Sequence, residues 1–365
     1  MHSRRRNISF TLQCLLAGLI GWAAGCDSPM DLSTLPQQRA SLLDTAYVAV
    51  MPPFGGFTGP RGLLLGRDQL LYVADTRGNR VVMLNRAGAV LSSRGILHPV
   101  SLAQDSRLDL LVGGELVASN GDTVGALFRI HLVSASPDSA HRLEVSRIDT
   151  IWRELAHPRR RFPGITVLGD NSFLAARDGP DNASFIDPDA RVLQFDKFDT
   201  FITPLPAFVT GSGTGIANIN HPTSIAAFPN SNDFILVQSS DGVAYGALWM
   251  VYQSTSDFQG WLPRFDPAKF EDRSADFIRP SRFLLAKAVA VDPARRDVFI
   301  ADAEQDSIVK FNSRGVFQGA SFGRVRSEGL MRRPSGLAYF DKILYVLDEE
   351  QGILLRFRLS TDVPR

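Results

Sequence analysis

The sequence predicts an all-β ring of small antiparallel sheets, a β-propeller, and three observations predict it. A pattern of proline, apolar run, turn, apolar run ending in Asp, turn and third apolar run stands near both ends of the 365-residue chain. It reads Gly59-Pro60-Arg61-Gly62-Leu63, Leu70 to Asp75 and Arg80 to Leu84 in one place, and Arg333-Pro334-Ser335-Gly336-Leu337, Ile343 to Asp348 and Gly352 to Phe357 in the other. Looser copies fill the span between them, giving six in all. No helical period of useful length interrupts them. One such copy cannot bury both of its apolar faces, so several must pack side by side and close on themselves.

The copies follow in order. The first runs from Pro60 to about Gly95. The second opens at His98-Pro99 and continues through Leu108 to Val112 and Ala126 to Val133. The third opens at Phe162-Pro163, with Ser172 to Ala176 and Arg191 to Phe195. The fourth opens at His221-Pro222, with Asp233 to Val237 and Ala247 to Tyr252. The fifth has Ala286 to Val291, Asp297 to Asp302 and Ser307 to Phe311, and the sixth is the Pro334 copy. Alternating apolar positions, β-branched residues and Gly, Asn and Asp turns make these strands. Proline sits at the first residue of a strand, where a missing amide donor is tolerated. The sixth copy stops after its third strand, while Thr45 to Val50 is a strand without a copy of its own. The economical arrangement is a six-bladed propeller in which this N-terminal strand completes the last blade.

Composition is that of an ordinary globular chain, and a net charge of +1 argues against a general nucleic-acid binder, which carries a basic excess. The first residues read as an export address. Met1 to Arg6 is basic, Ile8 to Ala24 is largely apolar, and Ala23-Ala24-Gly25 supplies small residues before Cys26. Ala23-Ala24-Gly25-Cys26 resembles the lipobox of bacterial lipoproteins, which implies acylation of Cys26 and a chain held on a membrane surface without spanning it. The expected organisation is a signal peptide over 1–25, a polar tether over 26–44 and the propeller over 45–365, in a bacterial cell envelope. Cys14 lies inside the apolar leader, so processing leaves Cys26 alone and no disulfide is expected.

Tyr72-Val73-Ala74-Asp75 with Gly78-Asn79-Arg80-Val81, and Phe299-Ile300-Ala301-Asp302 with Ile308-Val309, resemble NHL repeats. The resemblance is specific in copies one, five and six and looser in the other three. It implies a six-bladed propeller with its loops gathered on one face.

The candidate site residues come from those loops. Asp75, Asp302 and Asp348, with Asp178 and Asp241 near them in pattern, form an acidic set that either faces a partner or caps its own turns through backbone amides. Asp178, Asp181, Asn182, Asp187 and Asp189 place five oxygen donors in one insertion, a pattern that suits calcium, although it lacks the spacing and closing Glu of an EF-hand. His98 and His221 each precede an opening proline, a place where amidating lyases of the resembled family hold zinc. Two histidines fall short of the three or four ligands that zinc takes. Trp261, in the long loop expected after the fourth copy, is the exposed aromatic candidate. No Gly-x-Ser-x-Gly elbow and no phosphate loop occur. The reading is a membrane-anchored, monomeric docking module for a protein, peptide or glycan, with no cofactor expected. The alternative is a metal-dependent lyase or lactonase, using calcium or zinc at the channel mouth.

Overall fold

The computed structural model describes residues 46–133, 141–184, 186–239, 241–272, 275–323 and 329–363. The leader, the tether and the lipidation candidate Cys26 lie outside the described residues. Six antiparallel sheets follow one another in chain order. Blade 1 is Gly62–Leu65, Leu71–Asp75, Arg80–Leu84 and Val90–Gly95. Blade 2 is Leu97–Gln104, Leu110–Val117, Thr123–His131 and Arg147–Arg153. Blade 3 is Arg161–Val167, Phe173–Asp178, Arg191–Phe195 and Phe201–Pro204. Blade 4 is Pro222–Ala227, Phe234–Gln238, Ala247–Ser254 and Gln259–Pro263.

Blade 5 has three strands, Ala286–Val291, Val298–Asp302 and Ser307–Phe311. Isolated bridges from Ile308 to Phe322 and from Phe311 to Phe317 stand where its fourth strand belongs. Blade 6 takes Pro334–Phe340, Ile343–Asp348 and Ile353–Leu359 from the C-terminal copy, and Tyr47–Ala49 pairs antiparallel on its outside, with Tyr47 opposite Leu359. The buried Tyr47 ring packs edge-on against Phe299 and beside Phe322, so this short strand also anchors blade 5 to blade 6.

The core lies between blades. One apolar cluster joins blades 1 and 2 through Tyr72, Met83, Leu102 and Phe128, and another joins blades 6 and 1 through Val73, Leu71, Tyr345 and Leu347. Each blade therefore buries its faces only in the presence of its neighbours.

The inner strands also bond to one another across the blade junctions. Thr76 Oγ1 donates to Pro99 O at 2.7 Å, Ser101 Oγ to Phe162 O at 2.7 Å, and Thr223 Oγ1 to Ala286 O at 2.6 Å. Ser335 Oγ donates to Pro60 O at 2.7 Å, which joins the last copy to the first. Close approach at these junctions needs a missing side chain. A Cβ on Gly62 would lie 2.8 Å from Val100 O, and one on Gly164 would lie 2.9 Å from Ile225 N.

Candidate ligand site at the channel mouth

Pairing register gives each blade a common reference. Gly62 faces Ala74, Ser101 faces Gly113, Gly164 faces Ala176, Ser224 faces Val237, Ala288 faces Ala301 and Gly336 faces Leu347. The next residue on each middle strand is then Asp75, Gly114, Arg177, Gln238, Asp302 or Asp348. One step further stand Thr76, Glu115, Asp178, Ser239, Ala303 and Glu349.

The first of these two positions is structural. Asp302 accepts the backbone amides of Leu284, Leu285, Glu304 and Gln305 at 2.8–3.2 Å. Asp348 accepts those of Arg332, Arg333, Glu350 and Gln351 at 2.7–3.4 Å. Asp75 accepts Thr58 N and Arg80 Nε. All three side chains are 0% exposed. Buried carboxylates filled by amide donors serve the turns and have nothing left for a partner, so the binding role considered for Asp75, Asp302 and Asp348 gives way to capping.

Trp261 is likewise corrected. It lies in the fourth strand of blade 4, is 6% exposed, and donates its indole N–H to Asn232 O at 2.6 Å. Alternation on that strand turns its ring inward against Phe234 and Tyr252, so no aromatic platform is presented.

The insertion carrying the calcium candidates is held by arginine. Arg160 and Arg177, both buried, reach Asp187 at 2.7 and 2.8 Å, and Arg160 Nε reaches Asp189 at 2.6 Å. Asp189 also accepts Asp181 N, and Asp181 accepts Ala183 N. Burial by itself raises the Asp187 carboxyl, but hydrogen bonds from Arg177 and Arg160 bring it down to about 2. Guanidinium groups occupy the place that a cation would take. Asp178 has left this set and faces the channel, where it meets His221 Nδ1 at 3.0 Å. His98 Nδ1 meets Glu115 at 2.7 Å. Among the described residues no group of three or more His, Cys, Asp or Glu side chains could hold a metal ion.

What the inner strands do enclose is a channel of about 940 Å³, lined by all six. At the end where those strands begin, the second register position supplies Glu115, Asp178 and Glu349. Each already has a partner. Glu115 pairs with His98 and Arg161, Asp178 with His221, and Glu349 with Arg61 at 2.9 Å and Arg333 at 4.0 Å.

At this mouth Lys287 and the exposed Arg77, both lining the channel, have no such partner among the described residues. Lys287 is half-buried and lines the channel, and among the described residues it makes no hydrogen bond or ion pair. It is the extra residue of a bulge, since pairing slips between Ala286 and Ala288, and a bulge re-aims a side chain. Burial lowers the basicity of its amine, and Arg61 lowers it further; Glu349 opposes the shift, Arg333 adds to it, and Asp178 opposes it. Sequence reasoning missed Lys287. The available signal was a single charge inside the apolar strand Ala286-Lys287-Ala288-Val289-Ala290, in a chain that has few lysines.

No protein-family model matches the chain, and no curated protein is similar to it in sequence. Solved structures of the same architecture do match. A luciferin-regenerating enzyme is 12% identical with a TM-score of 0.58, over 86% of this chain and 95% of that one. A PQQ-bound aldose sugar dehydrogenase from Streptomyces coelicolor is 13% identical with a TM-score of 0.57, over 87% of this chain and 99% of that one. A gluconolactonase from Xanthomonas campestris is 12% identical with a TM-score of 0.52, over 87% of this chain and 97% of that one. At such identities the likeness shows the six-bladed propeller fold, and function rests on the site.

Proposed function

We propose that this protein is a ligand-binding propeller of the bacterial envelope, held on its membrane through Cys26, whose ligand presents an anionic group to the channel mouth. The observation that carries the reading is Lys287, a partner-free amine that a bulge places in the channel that Arg61 also lines, in a mouth whose carboxylates already have partners. A carboxylate seated there gains charge-assisted hydrogen bonds without breaking an existing pair around Lys287. The described residues assemble no metal-ligand set for the lyase or lactonase alternative.

Calorimetric titration of the full chain in detergent with glycolate, oxalate and succinate tests the reading. At least one should bind, and the double variant Arg61→Met with Lys287→Met should weaken it by about tenfold or more, the loss of a charge-assisted contact. Undiminished binding in the double variant would remove the channel mouth as the site. For the anchor, Cys26→Ser should move the protein from the membrane fraction to the soluble fraction; continued membrane association counts against lipidation at that residue.

A further inference from the structure

We propose that Lys287 is a carbonyl-trapping nucleophile, and that the ligand class of the channel is a small 2-oxo acid held as a reversible imine. The inference deepens the anion-binding reading and rests on it. Three features carry it.

The first is placement. The bulge at Ala286–Ala288 makes Lys287 the extra residue of an inner strand that lines the channel, and it is the one charged residue there, followed by the apolar lining residues Ala288 to Val291. The equivalent bulges of blades 4 and 6 carry Thr223 and Ser335, whose hydroxyls are spent on the neighbouring inner strands. Blade 5 has an amine in that place and spends it on nothing.

The second is company. A general anion site gains most from guanidinium groups, and Arg61, whose Nε is held by Glu349, lines the same channel. An amine so accompanied is in the setting that activates lysine as a nucleophile, because neighbouring positive charge and burial favour its neutral form. The lowered basicity of Lys287 agrees in direction. The third is division of labour. Arg61 suits the carboxylate of an oxo acid by forked hydrogen bonding, while the carbonyl beside that carboxylate needs a group that can bond to carbon.

The step balances without an oxidant or reductant. The Lys287 Nζ lone pair attacks the carbonyl carbon and a C–N bond forms, while the carbonyl oxygen takes a proton and becomes the hydroxyl of a carbinolamine. Nitrogen gives up a proton, a second proton converts the hydroxyl to water as it leaves, and a protonated C=N bond remains. Addition of water returns the free amine and the oxo acid. Asp178 with His221, and Glu349, are the acid–base groups at this mouth that can pass the proton.

The test uses the full chain in detergent with glyoxylate and cyanoborohydride, which reduces an imine to a stable secondary amine, followed by peptide mass mapping. Lys197, Lys269, Lys310 and Lys342 serve as internal references. The expected result is an adduct at Lys287 formed at least about tenfold faster than at the exposed lysines, reflecting a larger free-amine fraction near neutral pH. Lys287→Arg should abolish the fast adduct with no compensating rise at Lys342, and binding of glycolate, which matches glyoxylate but lacks its oxo group, is measured on the wild-type chain. An adduct no faster at Lys287 than at Lys342, with glycolate still bound, overturns the imine and leaves the anion site standing. Absence of both adduct and glycolate binding in the wild-type chain overturns the inference together with the reading beneath it.

Discussion

Blades 3 and 6 solve one problem with opposite charges. In blade 6 the middle strand ends in Asp348, which gathers four backbone amides from the loops above it. In blade 3 the same register position is Arg177, which donates to the carbonyls of Asp189 and Pro188 and to the carboxylates of Glu154 and Asp187. The loops of blade 6 turn amides inward, and those of blade 3 turn carbonyls and acids inward. Five of the six blades keep a buried hydrogen-bonding side chain at this position without requiring an aspartate, and blade 2 has Gly114 there. Blade 4 agrees, since Gln238 there accepts Asn220 N and donates to Tyr245 O. The acidic insertion of blade 3 is the counterpart of its arginine hub.

Arg177 is where substitution should have the largest effect. Arg177→Met leaves Glu154 and Asp187 short of a partner in a buried cluster and should cost about 3–5 kcal/mol, read by denaturant unfolding. Arg177→Asp, which restores the residue of the regular blades, should cost more still, and a tolerated Asp would refute the inverted hub. Asp348→Ala strands backbone amides that were bonded to a charged acceptor and should cost about 2–3 kcal/mol in the same assay. The conservative Asp348→Asn should recover part of that loss, since its carbonyl still accepts.

Ser335→Ala removes the hydroxyl link between the last copy and the first. About 1 kcal/mol is expected, and a change within experimental error would show that apolar packing alone joins blades 6 and 1.

The smallest effect is one of pH. The carboxyl of Asp187 is depressed in the folded chain, to about 2, below its ordinary value near 3.9. Its contribution is therefore present above about pH 4 and is lost as pH falls toward 2. Because the side chain is partly exposed, solvent screening keeps the contribution modest. Asp187→Asn should flatten that part of the acid-unfolding curve, whereas an unchanged curve would assign the acid sensitivity to other carboxylates.

The regular copies were legible because local chemistry writes them. Leu71 to Asp75 and Arg80 to Leu84 alternate, turn and cap within a few residues, and they stand where the pattern puts them. The fourth strands were harder to read. Arg147–Arg153 and Phe201–Pro204 are outer strands with half-buried or exposed side chains, so little apolar alternation marks them. Trp261 was misplaced for that reason, since an outer strand reads as loop. His98 and His221 were legible as neighbours of a proline, but each meets a carboxylate that the sequence sets 17 and 43 residues away.

By itself the sequence determined the six-bladed ring, because short-range alternation, turn residues and the failure of one copy to bury its faces are all properties of the chain order. The tertiary structure alone decided which charges are spent and which are free. Asp302 and Asp187 are the same residue type, yet one meets amides and the other guanidinium groups. Lys287 faces the channel through one slipped pair in blade 5. Pairing register and the approach of distant blades set these outcomes, and electrostatic partners brought together by ring closure leave no periodic trace in the order of residues.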